Sequence, residues 1–314
     1  MLRVVVTGVA GFIGSHLADR LLAEGHTVVG IDDLSQGVFE QVPSGVEFHR
    51  ADIRSSDVAA HFEGAAAVFH LAAKNCISDC QHDPVTTMAV NVTGTANVLE
   101  AAARAGVQRV VYAESSALYE GVTRFPTPED EIAPESIYAA SKAASREVAR
   151  AYARWRGLRL TALRYFCVYG PRQDHRRTVA PVMAAFIRSL LGGRRPTIYG
   201  TGEKRRDFVY VDDVNDFHMR CLTDVRTYGA TYNLGSGVDC SVRGIFDEIR
   251  SLLGSDLEPE YALELPGEAE RTCADIGRAR ALGWEPTVSL REGLRRSIEH
   301  IERELGTDVE LARS

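Results

Sequence analysis

The sequence lacks several features that would assign it to other classes of protein. Its six cysteines are scattered and none forms a C-x-x-C pair, so neither a zinc site nor a redox pair is indicated. The net charge of -7 excludes the basic stripe typical of nucleic-acid binders. No apolar run is long enough for a signal peptide or a membrane span. We therefore predict a cytoplasmic protein with reduced thiols, no metal, and no nucleic-acid or membrane partner.

What is present is the pattern of an α/β protein. Short β-branched and apolar runs alternate with helical stretches through the first half of the 314 residues. The predicted strands are 3–7, 27–31, 46–51, 67–70, 109–113 and 159–163. Near-continuous apolar strands between amphipathic helices predict a doubly wound parallel sheet, with ligands at the carboxyl ends of its strands.

Three glycines, Gly8, Gly11 and Gly14, lie three residues apart between the first predicted strand and the helix that follows it. Without β-carbons the backbone can approach a pyrophosphate, and the helix N-terminus supplies amide donors. A tight turn without a ligand could use the same glycines. The strand before them and the helix after them favour dinucleotide binding, with Phe12 and Ile13 in the same loop.

The ends of the second and third strands carry acidic residues. Asp32 lies where a carboxylate accepts hydrogen bonds from the adenosine ribose and repels a 2′-phosphate, which predicts NAD. Asp33 beside it leaves open which carboxylate points inward. Asp52 and Ile53 follow the third strand and are predicted to contact adenine, although Asp52 could instead cap a loop.

Tyr138 and Lys142 share one face of a helix predicted over 137–156, with Ser136 as its N-cap and Gly157 beyond its end. A neighbouring ammonium and a positively charged nicotinamide both favour the phenolate, which is a base usable near neutral pH. By itself the pair also occurs on exposed helices.

Combined with the glycine motif, this pair resembles the extended short-chain dehydrogenases/reductases, the nucleotide-sugar epimerases and dehydratases. Matching segments follow in order through nearly the whole chain: TGVAGFIGSHL, DDLSQG, HLAA, NVTGT, SSALY, YAASK, RYFCVYGPRQ, YGTGEKRRDFVYVDDV and YNLGSG. The resemblance implies a Rossmann fold and NAD as cofactor. It implies that Tyr138 is the base, Lys142 holds the nicotinamide ribose and Ser115 binds the sugar 4-hydroxyl, with Ser116 as the alternative if the register shifts.

The resemblance also implies a division of the chain. We expect an NAD-binding domain over 1–166, with late strands returning from about 205–235, and a smaller C-terminal substrate lobe over 167–204 and 236–314. Further cofactor contacts are expected from Leu71, Ala72, Ala73 and Asn91. Substrate contacts beyond Ser115 are expected from Cys167, Tyr199, Arg206 and Arg271.

The position two residues after Ser115 separates the reactions of this family. Dehydratases and sugar-acid decarboxylases carry a carboxylate there, whereas this chain has Ala117, which favours 4-epimerisation through a transient 4-keto sugar. A 4,6-dehydratase or decarboxylase-like lyase is the alternative, and a catalytically silent NAD-binding regulator is a third hypothesis. Glu114 and Glu120 replace the family's usual Ser and Gly and are interpreted as ordinary polar positions unless the mechanism is unusual.

Arg206 resembles the family arginine that clamps the substrate diphosphate. The resemblance favours a UDP-sugar, and the identities of the nucleotide and the sugar stay open. Two departures from the family pattern concern the same substrate-binding region. Cys167 replaces an Asn, and Leu265 and Glu268 replace the Arg and Asp of an R-P-G-D segment. Arg271, Arg176 and Arg177 are the candidates to replace the missing contacts, and Arg176 and Arg177 could instead meet an acidic sugar or be a solvated loop.

Members of the family commonly form dimers through the helix that carries Tyr138 and the helix before it. Here that helix is predicted over about 85–104, with small apolar residues at helical spacing. These residues are Ala89, Val92, Ala96, Leu99 and Ala103. A homodimer is therefore expected, although packing within one chain would produce the same pattern.

Overall fold

A computed structural model describes residues 1–177, 180–264 and 269–311 of the chain, with side chains through residue 306. Its strands are β1 (Arg3–Thr7), β2 (Thr27–Asp32), β3 (Glu47–Arg50), β4 (Ala67–His70), β5 (Arg109–Ser115), β6 (Arg159–Tyr165), β7 (Cys167–Tyr169), β8 (Thr197–Tyr199), β9 (Arg205–Tyr210), β10 (Thr231–Leu234), β11 (Asp239–Ser241) and β12 (Glu260–Ala262).

The α-helices are α1 (Phe12–Ala23), α2 (Ile77–His82), α3 (Pro84–Met88), α4 (Thr95–Arg104), α5 (Ile137–Arg156), α6 (Val182–Leu191), α7 (Val211–Thr223), α8 (Val242–Leu253), α9 (Gly277–Ala281) and α10 (Leu290–Leu311). Short 3₁₀ helices lie at Phe39–Gln41, Ser56–Phe62, Ser116–Tyr119 and Val225–Thr227, and Ala89–Gly94 joins α3 to α4 as a π-helical segment.

The central sheet has the strand order β10-β6-β5-β4-β1-β2-β3 within the described residues. Every pair in it is parallel. The chain winds outward from β1 in one direction and then from β4 in the other, so the switch point lies between these two strands. The predicted doubly wound parallel sheet is confirmed.

Both faces of this sheet are covered, which explains why its strands are apolar along their whole length. On β1, Val4 and Val6 join the core beneath α1 and α7, whereas Val5 joins the core beneath α4 and α5. All three side chains are fully buried. A sheet buried on both faces leaves only the loops at its carboxyl edge for binding a ligand.

The return of the chain to the sheet differs in one part from the expectation over 205–235. β10 does pair with β6, in a register that places Leu234 beside Tyr165. β9, however, pairs with β7 and β11 in a separate three-stranded sheet. Its residues Phe208 and Tyr210 pack instead into a third core with α6, α8 and α10.

β10 is also tied to both halves of the chain through Asn233, which is fully buried. The Asn233 amide donates to the carbonyl oxygens of Thr127 at 2.9 Å and Asp275 at 3.0 Å. Its side-chain oxygen accepts a hydrogen bond from the Tyr119 hydroxyl at 2.7 Å. This strand therefore joins the central sheet to the loops around the site.

No helix in the described part of the chain is long and apolar enough to cross a membrane. The six cysteines are all free thiols. Across residues 1–177, 180–264 and 269–311, no group of three His, Cys, Asp or Glu side chains is arranged to hold a metal ion.

Candidate active site

A cleft of about 690 Å³ opens at the carboxyl edge of the central sheet and extends to the three-stranded sheet formed by β7, β9 and β11. This volume lies within the range of about 300–1,000 Å³ typical of ligand pockets. The predicted residues that line it are Gly8, Gly11, Phe12, Ile13, Gly14, Asp32, Asp33, Asp52, Ile53, Leu71, Ala72, Ala73, Ser115, Ser116, Tyr138, Lys142, Cys167 and Arg206. One cleft thus brings together the glycine loop, the tyrosine–lysine pair and the predicted substrate arginine.

The glycine loop forms a cradle that a β-carbon would fill. Gly8 has φ +77°, and a β-carbon there would lie 2.8 Å from the Ala72 backbone nitrogen. A β-carbon on Gly14 would lie 2.1 Å from the carbonyl oxygen of Gly8. Gly11 is the N-cap of α1 and makes no side-chain cap there. The uncapped first turn of α1 therefore faces the cleft with amide donors and the positive end of its dipole, which fits a dinucleotide pyrophosphate.

The structure separates the two adjacent aspartates. Asp32 is buried and accepts hydrogen bonds from the backbone N–H groups of Ala10 at 3.0 Å and Leu34 at 2.9 Å. Burial raises the pKa of the Asp32 carboxyl. Asp33 is more exposed, and its carboxylate accepts hydrogen bonds from the backbone and hydroxyl of Ser35 at 2.9 and 2.6 Å. Asp32 therefore has the fixed, inward position that a ribose contact needs.

At the far end of the cleft, Asp52 caps its own loop and also lines the cavity. Its carboxylate accepts a hydrogen bond from the Arg54 backbone at 2.8 Å and pairs with the Arg54 guanidinium at 2.5 Å. Hydrogen bonding to Arg54 lowers the pKa of the Asp52 carboxyl. Asp52 thus caps its loop, as one alternative predicts, and its contact with adenine stays a prediction. Ile53 lies beside it, buried against the cleft.

Asn91 lies behind the cleft rather than in its described lining. It is buried in the π-helical segment, where its amide donates to the Lys74 carbonyl oxygen and the Ser141 hydroxyl, both at 2.9 Å. Its side-chain oxygen accepts a hydrogen bond from the Lys74 backbone at 2.8 Å. These bonds hold the loop after β4 against α5, and the direct cofactor contact expected of Asn91 stays a prediction.

Ser115, Tyr138 and Lys142 meet where β5 ends beside α5. The Ser115 hydroxyl lies near enough to the Tyr138 phenol to lower its pKa. The Ser115 hydroxyl also accepts a hydrogen bond from the Ala117 backbone at 3.2 Å. Lys142 donates from Nζ to the carbonyl oxygen of Ala113 at 2.9 Å. The hydroxyl, phenol and ammonium lie together at the wall of the cleft, and Ser116 lines the cleft next to them.

Burial dominates the charge state of this group. It raises the pKa of Tyr138 to about 12, against a smaller lowering by the hydrogen bond with Ser115. It also lowers the pKa of Lys142 to about 8, while the negative charge of Glu114 acts in the opposite direction. The downward shift predicted for the phenol is therefore not a property of the protein alone. It requires the positive charge that a bound nicotinamide would add.

Helix α5 presents its residues to the cleft because both of its ends are capped. The Ser136 hydroxyl accepts a hydrogen bond from the Ala139 backbone at 3.0 Å, and Gly157 has the left-handed conformation, with φ 71°. The Glu120 carboxylate accepts hydrogen bonds from the Ser136 backbone at 2.6 Å and from the Ser136 hydroxyl at 2.8 Å. The predicted caps are confirmed, and Glu120 adds a second anchor.

The residues expected at the substrate end separate into two groups. Cys167 and Arg206 line the cleft. Tyr199 lies on the small β8–β12 sheet, about half exposed, and is absent from the described lining. Arg271 also lies outside that lining, since its guanidinium pairs with Asp239 and stacks 5.0 Å from the centre of the Phe125 ring. The direct substrate contacts expected of Tyr199 and Arg271 therefore stay predictions, and neither side chain lines the cleft in the part of the chain described.

Of the proposed replacement arginines, Arg177 lines the cleft and Arg176 does not, among the residues described. The Arg177 guanidinium hydrogen-bonds Gln36 and lies 3.6 Å from the Asp79 carboxylate. It therefore bridges from the second lobe to the dinucleotide loops. Leu265 and Glu268, the other departures from the family pattern, lie outside the described residues.

Several lining residues were not predicted. Gln36, Arg54, Gln173 and Asp174 all face the cleft. The sequence shows only that each of these residues follows a strand or lies within a matched segment. Neither observation specifies the direction of a side chain. Glu114, interpreted as an ordinary polar position, is instead buried, with its carboxylate paired to Arg164 at 2.6 Å.

A Rossmann sheet whose glycine cradle and tyrosine–lysine pair share one cleft defines a dinucleotide-dependent enzyme of the short-chain dehydrogenase/reductase type. The comparisons with known proteins agree. The model of the NAD dependent epimerase/dehydratase family matches residues 4–235. The UDP-glucose 4-epimerase of Mycolicibacterium smegmatis is 40% identical over 309 residues, which cover 95% of this chain and 98% of that protein.

Solved structures give the same result. The UDP-glucose 4-epimerase of Thermotoga maritima with UDP-glucose superimposes with a TM-score of 0.93 at 34% identity, covering 97% of this chain and 100% of that one. The dTDP-glucose 4,6-dehydratase of Streptomyces venezuelae, solved with NAD bound, gives a TM-score of 0.90 at 30% identity, with 98% of each chain covered. The chain belongs to the NAD-dependent epimerase/dehydratase family, and it is an enzyme of the epimerase class.

Proposed function

We propose that this enzyme binds NAD and interconverts the 4-epimers of a nucleotide-diphospho-sugar, with a UDP-sugar as the favoured substrate. The observation that carries this proposal is the meeting of Ser115, Tyr138 and Lys142 in a cleft that also contains the glycine cradle, with Ala117 where a lyase would need a carboxylate. The substrate class is supported by the UDP-sugar named for the relatives in mycobacteria and Thermotoga.

Each residue then has one task. Tyr138 removes the proton from the sugar 4-hydroxyl, and Ser115, whose hydroxyl acts on the pKa of the phenol, holds that hydroxyl and passes the proton. Lys142 adds a positive charge beside the phenol and holds the nicotinamide ribose. Bound NAD supplies reversible hydride acceptance at C4. After the keto sugar turns its other face, the same hydride would return from the bound cofactor to C4 and Tyr138 returns the proton to the 4-oxygen, so no external reductant is needed.

The cofactor would lie along the carboxyl edge of the sheet. The first turn of α1 would receive the pyrophosphate, Asp32 the adenosine ribose, and Asp52 and Ile53 the adenine. Phe12, Ile13 and residues 71–73 would form the walls. This assigns cofactor binding to residues 1–166 and substrate binding mainly to the second lobe. Arg206 would then contact the substrate diphosphate, with Cys167 beside it.

The alternative is a 4,6-dehydratase or decarboxylase-like lyase, a reaction class represented among the structural neighbours. Glu120 is the carboxylate that would have to serve it, because it lines the cleft and its charge acts on Tyr138. Its oxygens, however, already accept hydrogen bonds from the start of α5. A carboxylate fixed in this way is poorly placed to exchange protons with a leaving group, which favours epimerisation.

We also propose a homodimer through α4 and α5. Four of the five small apolar residues are only half-buried in the single chain, as expected of a surface that a second subunit would cover: Ala89, Val92, Ala96 and Ala103. Leu99 belongs to the core. Light scattering on the purified protein would measure the dimer mass, and Ala96→Arg should give a monomer. A monomeric wild-type protein would contradict this part of the proposal.

The test of the reaction is incubation of the purified enzyme with UDP-glucose, UDP-galactose, their N-acetyl forms and UDP-glucuronate, followed by proton NMR and mass spectrometry. We expect a product of unchanged mass, formed without added reductant. A loss of water or of carbon dioxide would identify the lyase instead. No product from any of the sugars, with NAD still bound, would support the silent regulator.

A further inference from the structure

Glu114 is a charged side chain at an interior position beside the catalytic serine. It immediately precedes Ser115 on β5, and its side chain is 1% exposed. Glu114 Oε2 lies 2.6 Å from Nε of Arg164, whose side chain is fully buried. The two residues are also direct neighbours in the parallel register of β5 and β6. The ion pair therefore joins two adjacent strands at the edge where the cleft opens.

Arg164 extends this pair to the turn that follows Ser115. Its Nη1 donates to the Tyr119 hydroxyl at 2.6 Å and to the carbonyl oxygen of Glu129 at 2.8 Å. Tyr119 is the last residue of the 3₁₀ turn Ser116–Tyr119. Ser115 is thus held from both sides, by the residue before it and by the turn after it.

The second carboxylate oxygen of Glu114 faces the helix. Glu114 Oε1 lies 3.7 Å from Nε of Arg146 on α5. Arg146 is one turn after Lys142 and two turns after Tyr138, so the three side chains share a face of that helix. One carboxylate therefore connects the strand that carries the serine to the helix that carries the tyrosine and lysine.

We propose that Glu114 is a positioning residue, which fixes Ser115 relative to Tyr138 and Lys142 by tying β5 to β6 through Arg164 and to α5 through Arg146. A buried ion pair is a weak source of stability, since apolar residues of the same size often do as well. It does fix geometry, because each charged group is tolerated only while its partners stay in place. The proposal rests on the roles given above to Ser115, Tyr138 and Lys142.

Glu114 has a second effect through its charge. Several groups interact electrostatically with the Lys142 ammonium. They are Glu114 and the Ala113 carbonyl on β5, the Tyr112 ring at 5.6 Å, Cys80 on α2 and His70 on β4. Tyr138 lies one turn earlier on α5. Glu114 favours the ammonium, whereas burial disfavours it. Removing its charge should make Lys142 lose its proton at a lower pH.

The first experiment compares two arginines on the same helix. Arg146 and Arg150 both pair with Glu147, but only Arg146 also reaches Glu114. Turnover with the sugar identified above is measured for Arg146→Met and Arg150→Met, together with the melting temperature. We expect Arg146→Met to lower kcat about tenfold with little change in KM, as small misplacements of reacting groups do. Arg150→Met should retain the wild-type kcat, and equal kcat values for the two variants would overturn the proposal.

The second measurement does not depend on the sugar. Binding of NAD to each purified variant, freed of bound nucleotide, is measured by calorimetry. Arg146→Met should weaken it several-fold and Arg150→Met should not, because a displaced Lys142 holds the nicotinamide ribose less well. If the wild-type enzyme turns over no nucleotide sugar, the proposed reaction fails while this comparison still decides the role of Glu114. Equal affinities would then contradict it.

Glu114 itself is tested by a charge comparison. In Glu114→Gln the loss of activity with rising pH should begin at a lower pH than in the wild type, and Glu114→Asp should restore the wild-type limit. A purely structural role would lower the melting temperature of both variants and leave both pH profiles unchanged. That result would reject the charge effect.

Discussion

Lys142 donates a hydrogen bond to the carbonyl oxygen of Ala113, two residues before Ser115, from a side chain buried in the wall of the cleft. This bond links α5 to β5 at the level of the catalytic serine. It also leaves the ammonium in an environment that lowers the pKa of Lys142 to about 8. A residue that we propose to hold the nicotinamide ribose is therefore kept in place at a cost to the stability of the free enzyme.

Replacing Lys142 by Met should abolish turnover and stabilise the protein at neutral pH. The unfolded chain binds this proton more tightly than the folded one, so the cost is fully present below about pH 8 and disappears as the pH rises toward 10.5. At pH 7 it amounts to about 3 kcal/mol, of which about 1 kcal/mol is offset by the lost hydrogen bond. Urea unfolding at pH 7 and pH 10 would measure this. A variant less stable than the wild type at pH 7 would show that the ammonium is not destabilising.

Tyr138→Phe should lower kcat by about 10²–10⁴, since it removes the general base. NAD binding should remain, because the ring still packs in the same place. Tyr152→Phe on the same helix is the matched control, as its hydroxyl lies outside the described lining of the cleft. Comparable losses in the two variants, measured by NMR of the epimerised sugar, would argue against Tyr138 as the base.

Asp32→Asn should weaken NAD binding about tenfold or more and reduce discrimination against NADP, because a charge-assisted hydrogen bond to the ribose is lost. Asp33→Asn should change the affinity for NAD less than about threefold, since the Asp33 carboxylate already accepts hydrogen bonds from Ser35 in the turn. Titration of both variants with NAD and NADP checks the pair. The reverse order of effects would assign the ribose to Asp33.

Arg206→Met should raise the KM for the nucleotide sugar by about 10–100-fold through the loss of a charged contact to the diphosphate. Arg271→Met should change KM little, because that guanidinium is directed to Asp239 and Phe125. Initial rates over a range of substrate concentrations give both values. A larger effect at Arg271 would mean that its side chain turns into the cleft when substrate binds.

Much of the dinucleotide half could be predicted because its signals are local. An apolar strand, a glycine turn and a capped helix each lie within a few residues, so β1 and α5 were predicted with the bounds that the structure has. Ser136 and Gly157 act as caps through bonds to their immediate neighbours. Such features can be predicted without knowledge of the rest of the fold.

The features that the sequence did not predict depend on contacts between distant segments. β9 matches the family sequence but pairs with β7 and β11, which no local pattern specifies. Arg271 is directed away from the cleft by Asp239, a residue 32 positions earlier. Glu114 was interpreted as a polar strand end because its partner Arg164 is 50 residues away. In each case the side chain's direction is decided by a partner that sequence spacing does not reveal.

Strand β10 has a consequence for recombination between relatives. It joins the central sheet beside β6 only after the chain has passed through much of the second lobe, and Asn233 on it bonds to Thr127 and Asp275 on either side. A chimera with a single crossover near residue 166 would combine one parent's β6 with the other parent's β10. The segments around β10 can be exchanged as units only by paired crossovers that keep 159–165 and 231–234 from the same parent.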